Sequence, residues 1–269
     1  MDAHGADDEI RVEGLDPPVE TPRLRGKVIA RASVHELLDE LSSDLTAHAL
    51  NCVREFGDFH LALSGGQTPM PFYEQLMYDP RYRAIPWRRT HLWMVDERCV
   101  GFEDERSNFG RIKEVIVDHS DIPPEQVHPM LAAMPDAAAR YERELREALG
   151  WRAKGHDRLD FVLLGMGADG HTASIFPGSP ALDSPERLAM DVPAPTTASP
   201  AVPRCTLTMR AINAARFVAA LVTGADKADM LVRVAEGASP AEVPIAGVRP
   251  AAGELRWFLD AAACGAAKM

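Results

Sequence analysis

The sequence predicts an α/β fold with a mostly parallel, Rossmann-like sheet sandwiched by helices. Three observations point to it. Short apolar runs, of the kind that fill strands covered on both faces, occur at Val28–Ala32, Phe59–Leu63, Thr90–Val95, Leu159–Leu164 and Phe217–Thr223. Segments with helical spacing separate most of them, and strands alternating with helices build a parallel sheet with helical crossovers. Glycines follow several of the runs, at Gly65, Gly66, Gly165, Gly167, Gly170 and Gly224, where the backbone must leave the strand sharply. The 269 residues fit one large domain. With no internal repeat and no clean linker, residues 27–269 read as a single α/β domain behind a flexible leader over residues 1–26.

A formal net charge of −11 argues against a nucleic-acid or membrane-surface partner over most of the surface, so any phosphate site has to be a local basic pocket. Cys52, Cys99, Cys205 and Cys264 lie far apart without a CxxC pair, which fits reduced thiols in a cytosolic protein. The leader is acidic and contains proline, with no apolar core like that of a secretion signal. No uninterrupted apolar run approaches the ~18 residues that would cross a bilayer. A soluble, cytoplasmic protein is expected, compatible with monomer or dimer.

In chain order, Val28–Ala32 is a first strand, and Ser33 with Glu36 has capping-box spacing for a helix whose Leu37, Leu38, Leu41, Leu45 and Ala49 face the core. Phe59–Leu63 runs into Ser64 Gly65 Gly66 Gln67 Thr68 Pro69, a strand-to-helix junction whose free amides suit a phosphate. Thr90–Val95 ends in Asp96 Glu97 Arg98, three charges that either form a surface cluster or line a cleft. Ser107 caps a helix carrying Ile112, Val115 and Ile116, and Asn108 could serve that cap or a ligand. Val127–Leu131 is a short edge strand and Asp136–Leu149 a helix with a charged wet face.

Leu159–Leu164 then delivers GMGADGH to a strand's carboxyl edge, where ligands bind in open α/β sheets, and His171 with Asp169 stands out there. A helix is expected from about Thr172, ended early by Pro177, and then a proline-rich surface loop over residues 178–203. Cys205–Met209 alternates as a strand. Phe217–Thr223 leads through Gly224 to a helix beginning near Asp226 and Lys227, whose positive charge is unfavourable there unless an anion binds. Pro244–Val248 reads as a final buried strand, and Leu255–Ala263 as a strand or a helix.

These motifs resemble the 6-phosphogluconolactonases of the pentose phosphate pathway. The resemblance rests on Ser64–Pro69 (SGGQTP), Val95–Arg98 (VDER) with Ser107 and Asn108, and Leu164–Gly178 (LGMGADGHTASIFPG). Thr206–Thr208 with Ile212 and Asn213, Gly224 with Lys227, and the tail from Pro244 to Trp257–Asp260 (WFLD) extend it over residues 28–263. Gln67 stands where serine is frequent, Cys99 where valine is usual and Gly101 where proline is common; none removes a group with an assigned role. The resemblance implies a fold similar to that of glucosamine-6-phosphate deaminase and ribose-5-phosphate isomerase. It also implies hydrolysis of 6-phospho-D-glucono-1,5-lactone, a carboxylic ester hydrolase activity, with a sugar-phosphate lactone as the small-molecule partner.

In that scheme His171 is the general base on water, Asp169 and the glycine turn orient its imidazole or aim amides at the oxyanion, and Arg98 stabilises the carbonyl oxygen or the sugar acid. Ser64, Gly65, Gly66, Gln67 and Thr68 hold the phosphate, with Lys227 and Arg204 as cations. No cofactor is called for. The nine histidines show no HxH or HExxH spacing for a metal, and Gly165 Met166 Gly167 lacks the rest of a dinucleotide GxGxxG. The competing reading is a glucosamine-6-phosphate deaminase/isomerase. In that family tyrosine follows the acidic pair and a glutamate lies five residues beyond the histidine; here Arg98 and Phe176 occupy those places, and phenylalanine moves no proton. A non-catalytic sugar-phosphate-binding regulator would be expected to lose the base, and His171 is present.

Overall fold

The computed structural model describes residues 19–196 and 199–265. The leader expected over residues 1–26 lies outside the described residues as far as residue 18; residues 19–26 have no regular structure, and Arg25 O accepts from Trp257 Nε1 at 2.8 Å. The elements that follow are β1 (Lys27–Arg31), α1 (Val34–Phe56), β2 (Phe59–Leu63), α2 (Met70–Tyr78), β3 (Thr90–Met94), β4 (Asp96–Arg98), α3 (Asn108–Val115) and β5 (Val127–His128). Then come α4 (Ala137–Leu149), β6 (Phe161–Leu164), β7 (Ala189–Val192), β8 (Arg204–Leu207), α5 (Met209–Ala214), β9 (Phe217–Val222), α6 (Ala228–Ala235) and β10 (Glu254–Asp260).

Seven strands form the central sheet in the order β1-β10-β9-β6-β2-β3-β5, and every pairing is parallel. Strands β2, β6 and β9 are buried throughout, as their unbroken apolar runs require. Helix α1 packs along β1, β10 and β2. Its start is fixed by the capping box of Ser33 and Glu36, and its end by Gly57 at φ 90°. From β2 the sheet continues through β3 to β5, and from β6 through β9 to β1. The carboxyl ends of β2 and β6 therefore part at a topological switch point, where such sheets open a crevice.

Four expectations are corrected. The charged triplet Asp96–Arg98, expected simply to end the strand Thr90–Val95, is a strand of its own, antiparallel to β8, in a second sheet of order β4-β8-β7. The stretch 178–203 is not all loop: it contains β7, while residues 197–198 lie outside the described residues. No helix begins at Thr172. Ala173 takes φ 52°, and Thr172 pairs with Ile175 in an isolated bridge, so the chain turns back at once. Pro244–Gly247 is a 3-10 turn instead of a strand; a short buried apolar run has no period to separate the two, and proline suits a first helical position. That turn supports the loop after β6, because Ile245 N donates to Gly170 O at 3.0 Å. The segment left open at 255–263 is the strand β10.

One face of the sheet carries a polar ladder. His60 and His91 are register partners on β2 and β3, with rings stacked at 4.5 Å. His91 Nδ1 lies 2.9 Å from His128 Nε2, and His128 Nδ1 lies 2.6 Å from Glu144. Burial pushes the His60 imidazole down from its ordinary range and the His91 imidazole down to about 4. Unfolded, each takes a proton near pH 6.5, whereas folded His91 stays neutral to about pH 4. Between those values the unfolded chain binds more protons, so stability falls as pH falls. We expect His91→Gln to flatten the dependence of the unfolding free energy from urea titrations on pH over this window, by at most about 1.4 kcal/mol per pH unit. An unchanged slope would count against the burial of a neutral imidazole at this position.

Candidate active site

The carboxyl ends of β2, β3 and β6 open on a cleft of about 160 Å³. The turn after β2 contributes Ser64, Gly65, Thr68 and Pro69, and the loop after β6 contributes Gly165, Met166, Gly167, His171, Thr172 and Ala173. The wall between comes from the second sheet and the start of α3, with Asp96, Arg98, Arg204 and Asn108.

His171 is held by the loop that carries it. Its Nδ1 lies 2.5 Å from Asp169 Oδ1, and its amide donates to the same oxygen at 3.1 Å. Burial would raise the Asp169 carboxyl, but these two donors outweigh it and hold the group below the usual carboxylate range. A carboxylate only accepts, so Nδ1 carries the hydrogen and Nε2 keeps the lone pair. Gly167 is required by close approach: a Cβ there would stand 2.1 Å from His171 Nδ1. The amides of Gly167 and Gly170 donate to His171 O and Gly167 O, so these two are spent inside the loop instead of facing a ligand. Thr172 Oγ1 donates to Gly165 O at 2.8 Å, and Ser174 Oγ donates to Asp96 Oδ2 at 2.5 Å.

The period of two along β4 sorts its charges. Glu97 points away from the cleft and accepts from the amides of Arg98, Asn108 and Phe109, each at 2.7 Å, and from Ser107 Oγ at 2.9 Å. Burial pushes its carboxyl up despite those donors; its work is to anchor the start of α3. Asp96 and Arg98 face the cleft, and Arg98 is the register partner of Arg204. Two cations directly opposite repel, yet each is tethered: Arg98 Nη1 donates to Arg106 O at 2.6 Å, and Arg204 Nη2 to Pro200 O at 3.0 Å. The Nε of both is buried without a hydrogen-bond partner among the described residues. Burial holds the Arg204 guanidinium below its ordinary range. Such a pair suits a bound anion.

Asn108, read from the sequence as a cap or a ligand contact, is not the cap: Ser107 takes that place, its Oγ accepting from Gly110 N at 3.0 Å. The backbone of Asn108 opens α3 while its Nδ2 donates to Asp96 O at 3.0 Å and to Asp96 Oδ1 at 3.3 Å. A Cβ on Gly65 would stand 1.8 Å from Asn108 Oδ1, which accounts for glycine at 65. Sequence reasoning left Asp96 and Ser174 without roles, although alternation along Asp96 Glu97 Arg98 already puts the aspartate on the face of the arginine.

Three expected phosphate contacts stand apart. Gln67 lines a neighbouring hollow with Phe102 and Glu103, and Gly66, at φ 95°, is not among the cleft residues. Lys227 is also absent from the lining; its Nζ pairs with Asp226 at 2.7 Å, which offsets a positive charge at the start of α6. Asp169 and Phe176 line a second hollow with Pro193 and Pro195.

Asp58, His60 and His91 form the cluster of ligand-type side chains found among the described residues. Trp93 Nε1 donates to His60 Nδ1 at 3.0 Å, which places the ring hydrogen on Nε2, facing Asp58 Oδ2 at 3.2 Å. That nitrogen has no lone pair for a metal, so these residues are arranged as a hydrogen-bond chain and do not fit an ion.

Residues 32–257 match the family described as glucosamine-6-phosphate isomerases/6-phosphogluconolactonase. A human protein named GDH/6PGL endoplasmic bifunctional protein is 40% identical over 249 residues, covering 88% of this chain; the chain spans only 30% of that relative's length. A 6-phosphogluconolactonase of Synechocystis is 38% identical over 220 residues, covering 80% of this chain and 88% of the relative. The solved structure of 6-phosphogluconolactonase from Trypanosoma cruzi superposes with a TM-score of 0.78 at 28% identity, covering 91% of this chain and 98% of that one.

The contact at Gly167 yields a direct check. Gly167→Ala is expected to push the imidazole off Asp169 and abolish the strongly downfield Nδ1–H proton resonance of His171 in a folded variant. Persistence of that resonance would show that the loop does not seat the ring as described.

Proposed function

The chain belongs to the glucosamine-6-phosphate isomerase/6-phosphogluconolactonase family, and we propose that it hydrolyses 6-phospho-D-glucono-1,5-lactone to 6-phospho-D-gluconate, the lactonase step of the pentose phosphate pathway. The observation that carries this reading is the commitment of His171 Nδ1 to Asp169, which leaves Nε2 basic in a cleft shared with Arg98 and Arg204. Nε2 takes a proton from water as the water oxygen attacks the lactone carbonyl carbon. The carbonyl becomes an oxyanion beside Arg98, whose charge persists at any working pH. When the carbon–ring-oxygen bond breaks, the imidazolium returns the proton to the departing ring oxygen, leaving a carboxylic acid that ionises.

The phosphate rests on the turn Ser64–Thr68, with Gly65 and Thr68 toward the cleft and Arg204 as the neutralising cation. Gly66, Gln67 and Lys227, which are not in the cleft lining, are left without a direct phosphate contact in this reading. Phe176 favours this chemistry over amino-sugar isomerisation, since a phenyl ring beside His171 supplies no proton-transfer group. His171, Arg98 and Arg204 need no metal or redox cofactor for these steps. Among the described residues no helix is long and apolar enough to cross a membrane. The four cysteines are unpaired, which supports a reducing, cytoplasmic setting, although the human relative carries the word endoplasmic in its name.

His171→Ala is expected to lower lactone hydrolysis, corrected for spontaneous opening, by roughly 10²–10⁴ while 6-phosphogluconate still binds by calorimetry. Undiminished turnover would remove His171 from the mechanism. Arg204→Met should weaken 6-phosphogluconate far more than gluconate, and equal weakening of both would reject Arg204 as the phosphate cation.

A further inference from the structure

One half-buried ring touches both groups that the proposed reaction needs. The Phe176 centroid lies 4.5 Å from that of His171, with the planes 34° apart, and the guanidinium carbon of Arg204 lies 5.3 Å from the same centroid. Both spacings are those of energetically useful aromatic and cation–π contacts. Neither partner is otherwise fully fixed. Asp169 holds one edge of the imidazole and leaves its rotation about that hydrogen bond open. Beyond Pro200 O, the Arg204 guanidinium has only a long contact of 3.5 Å to Ser174 Oγ, and its Nε has no partner among the described residues. Phe176 also lines a hollow of about 490 Å³ together with Asp169, Pro193 and Pro195.

We propose that Phe176 is a positioning residue for lactone hydrolysis: its ring sets the tilt of the His171 imidazole and steadies the Arg204 guanidinium. The proposal rests on the lactonase reading and adds to it a physical link between the base and the anion-binding cation. Because one ring orients both, its loss shifts turnover and substrate binding together, through two separable contacts. A displaced base lowers kcat, and a loosened guanidinium raises KM.

The test is steady-state hydrolysis of fresh lactone by the full chain, Phe176→Leu, Phe176→Tyr, His171→Ala and the double variant Phe176→Leu/His171→Ala. Phe176→Leu, which keeps apolar bulk but loses the aromatic face, is expected to lower kcat about tenfold and raise KM several-fold, on the scale of modest misplacement of a catalytic group. Phe176→Tyr restores both to within about threefold of the full chain, since it restores the ring. With His171 absent, Phe176→Leu no longer lowers the residual kcat but still raises KM, the non-additivity of residues that act through one another. Should Phe176→Leu fail to fold by circular dichroism, Phe176→Met takes its place with the same expectations. Wild-type kcat and KM in the folded variant, or an equal loss of kcat with and without His171, overturns the role given to the ring. Inert wild-type protein overturns the lactonase reading itself, so the two failures are distinguishable.

Discussion

The hydrogen bond between His171 Nδ1 and Asp169 has to be kept short while the loop that carries both crosses from one sheet to the other. That loop is tied at separate points: Thr172 Oγ1 to Gly165 O at its root, Ser174 Oγ to Asp96 on the small sheet, and Gly170 O to Ile245 N on the 3-10 turn. Each tie uses a different element of the fold. The small sheet, the 3-10 turn and the end of β6 are therefore best understood as the mould in which one imidazole is cast. Gly167 and Gly170 are part of the same constraint, because side chains there would occupy the space of His171 and Val243.

Charge is managed locally against the trend of the molecule. A chain with a formal charge of −11 concentrates Arg98 and Arg204 across one strand pair and places Asp96 and Glu97 on that strand with them. Glu97 is spent on backbone donors and Asp96 on Ser174 and Asn108, so neither is paired to the arginines by a salt bridge among the described residues. Such an arrangement keeps a positive face turned to the cleft without leaving the buried acids unsatisfied. A neutral lactone with a distant phosphate, and a product with a second anionic group, both fit a cleft of this polarity.

Much of this was legible in the residues, for local reasons. Strand β2 matches its apolar run residue for residue, and Ser33 with Glu36 and Ser107 mark helix starts because capping is a short-range hydrogen-bond pattern. The glycines after the buried strand β6 marked the sharp turn that carries His171 for the same reason. What escaped was decided by partners distant in sequence. Thr172–Ile175 looked like a helix start, yet its side chains bond to Gly165 and Asp96, and Ala173 adopts a left-handed turn to let them. The register that sets Arg98 against Arg204 depends on an antiparallel pairing that no local pattern encodes.

The description of the matched family names two chemistries, and the proposed reading assigns this chain to the lactonase one. Phe176 packs its ring on His171, which shares a cleft with Arg98 and Arg204. The most direct measurement compares purified protein on fresh 6-phospho-D-glucono-1,5-lactone, corrected for spontaneous opening, with its release of ammonia from glucosamine 6-phosphate under the same conditions. Rapid lactone hydrolysis with no ammonia above background is the result expected here; ammonia released faster than the lactone opens would contradict the account.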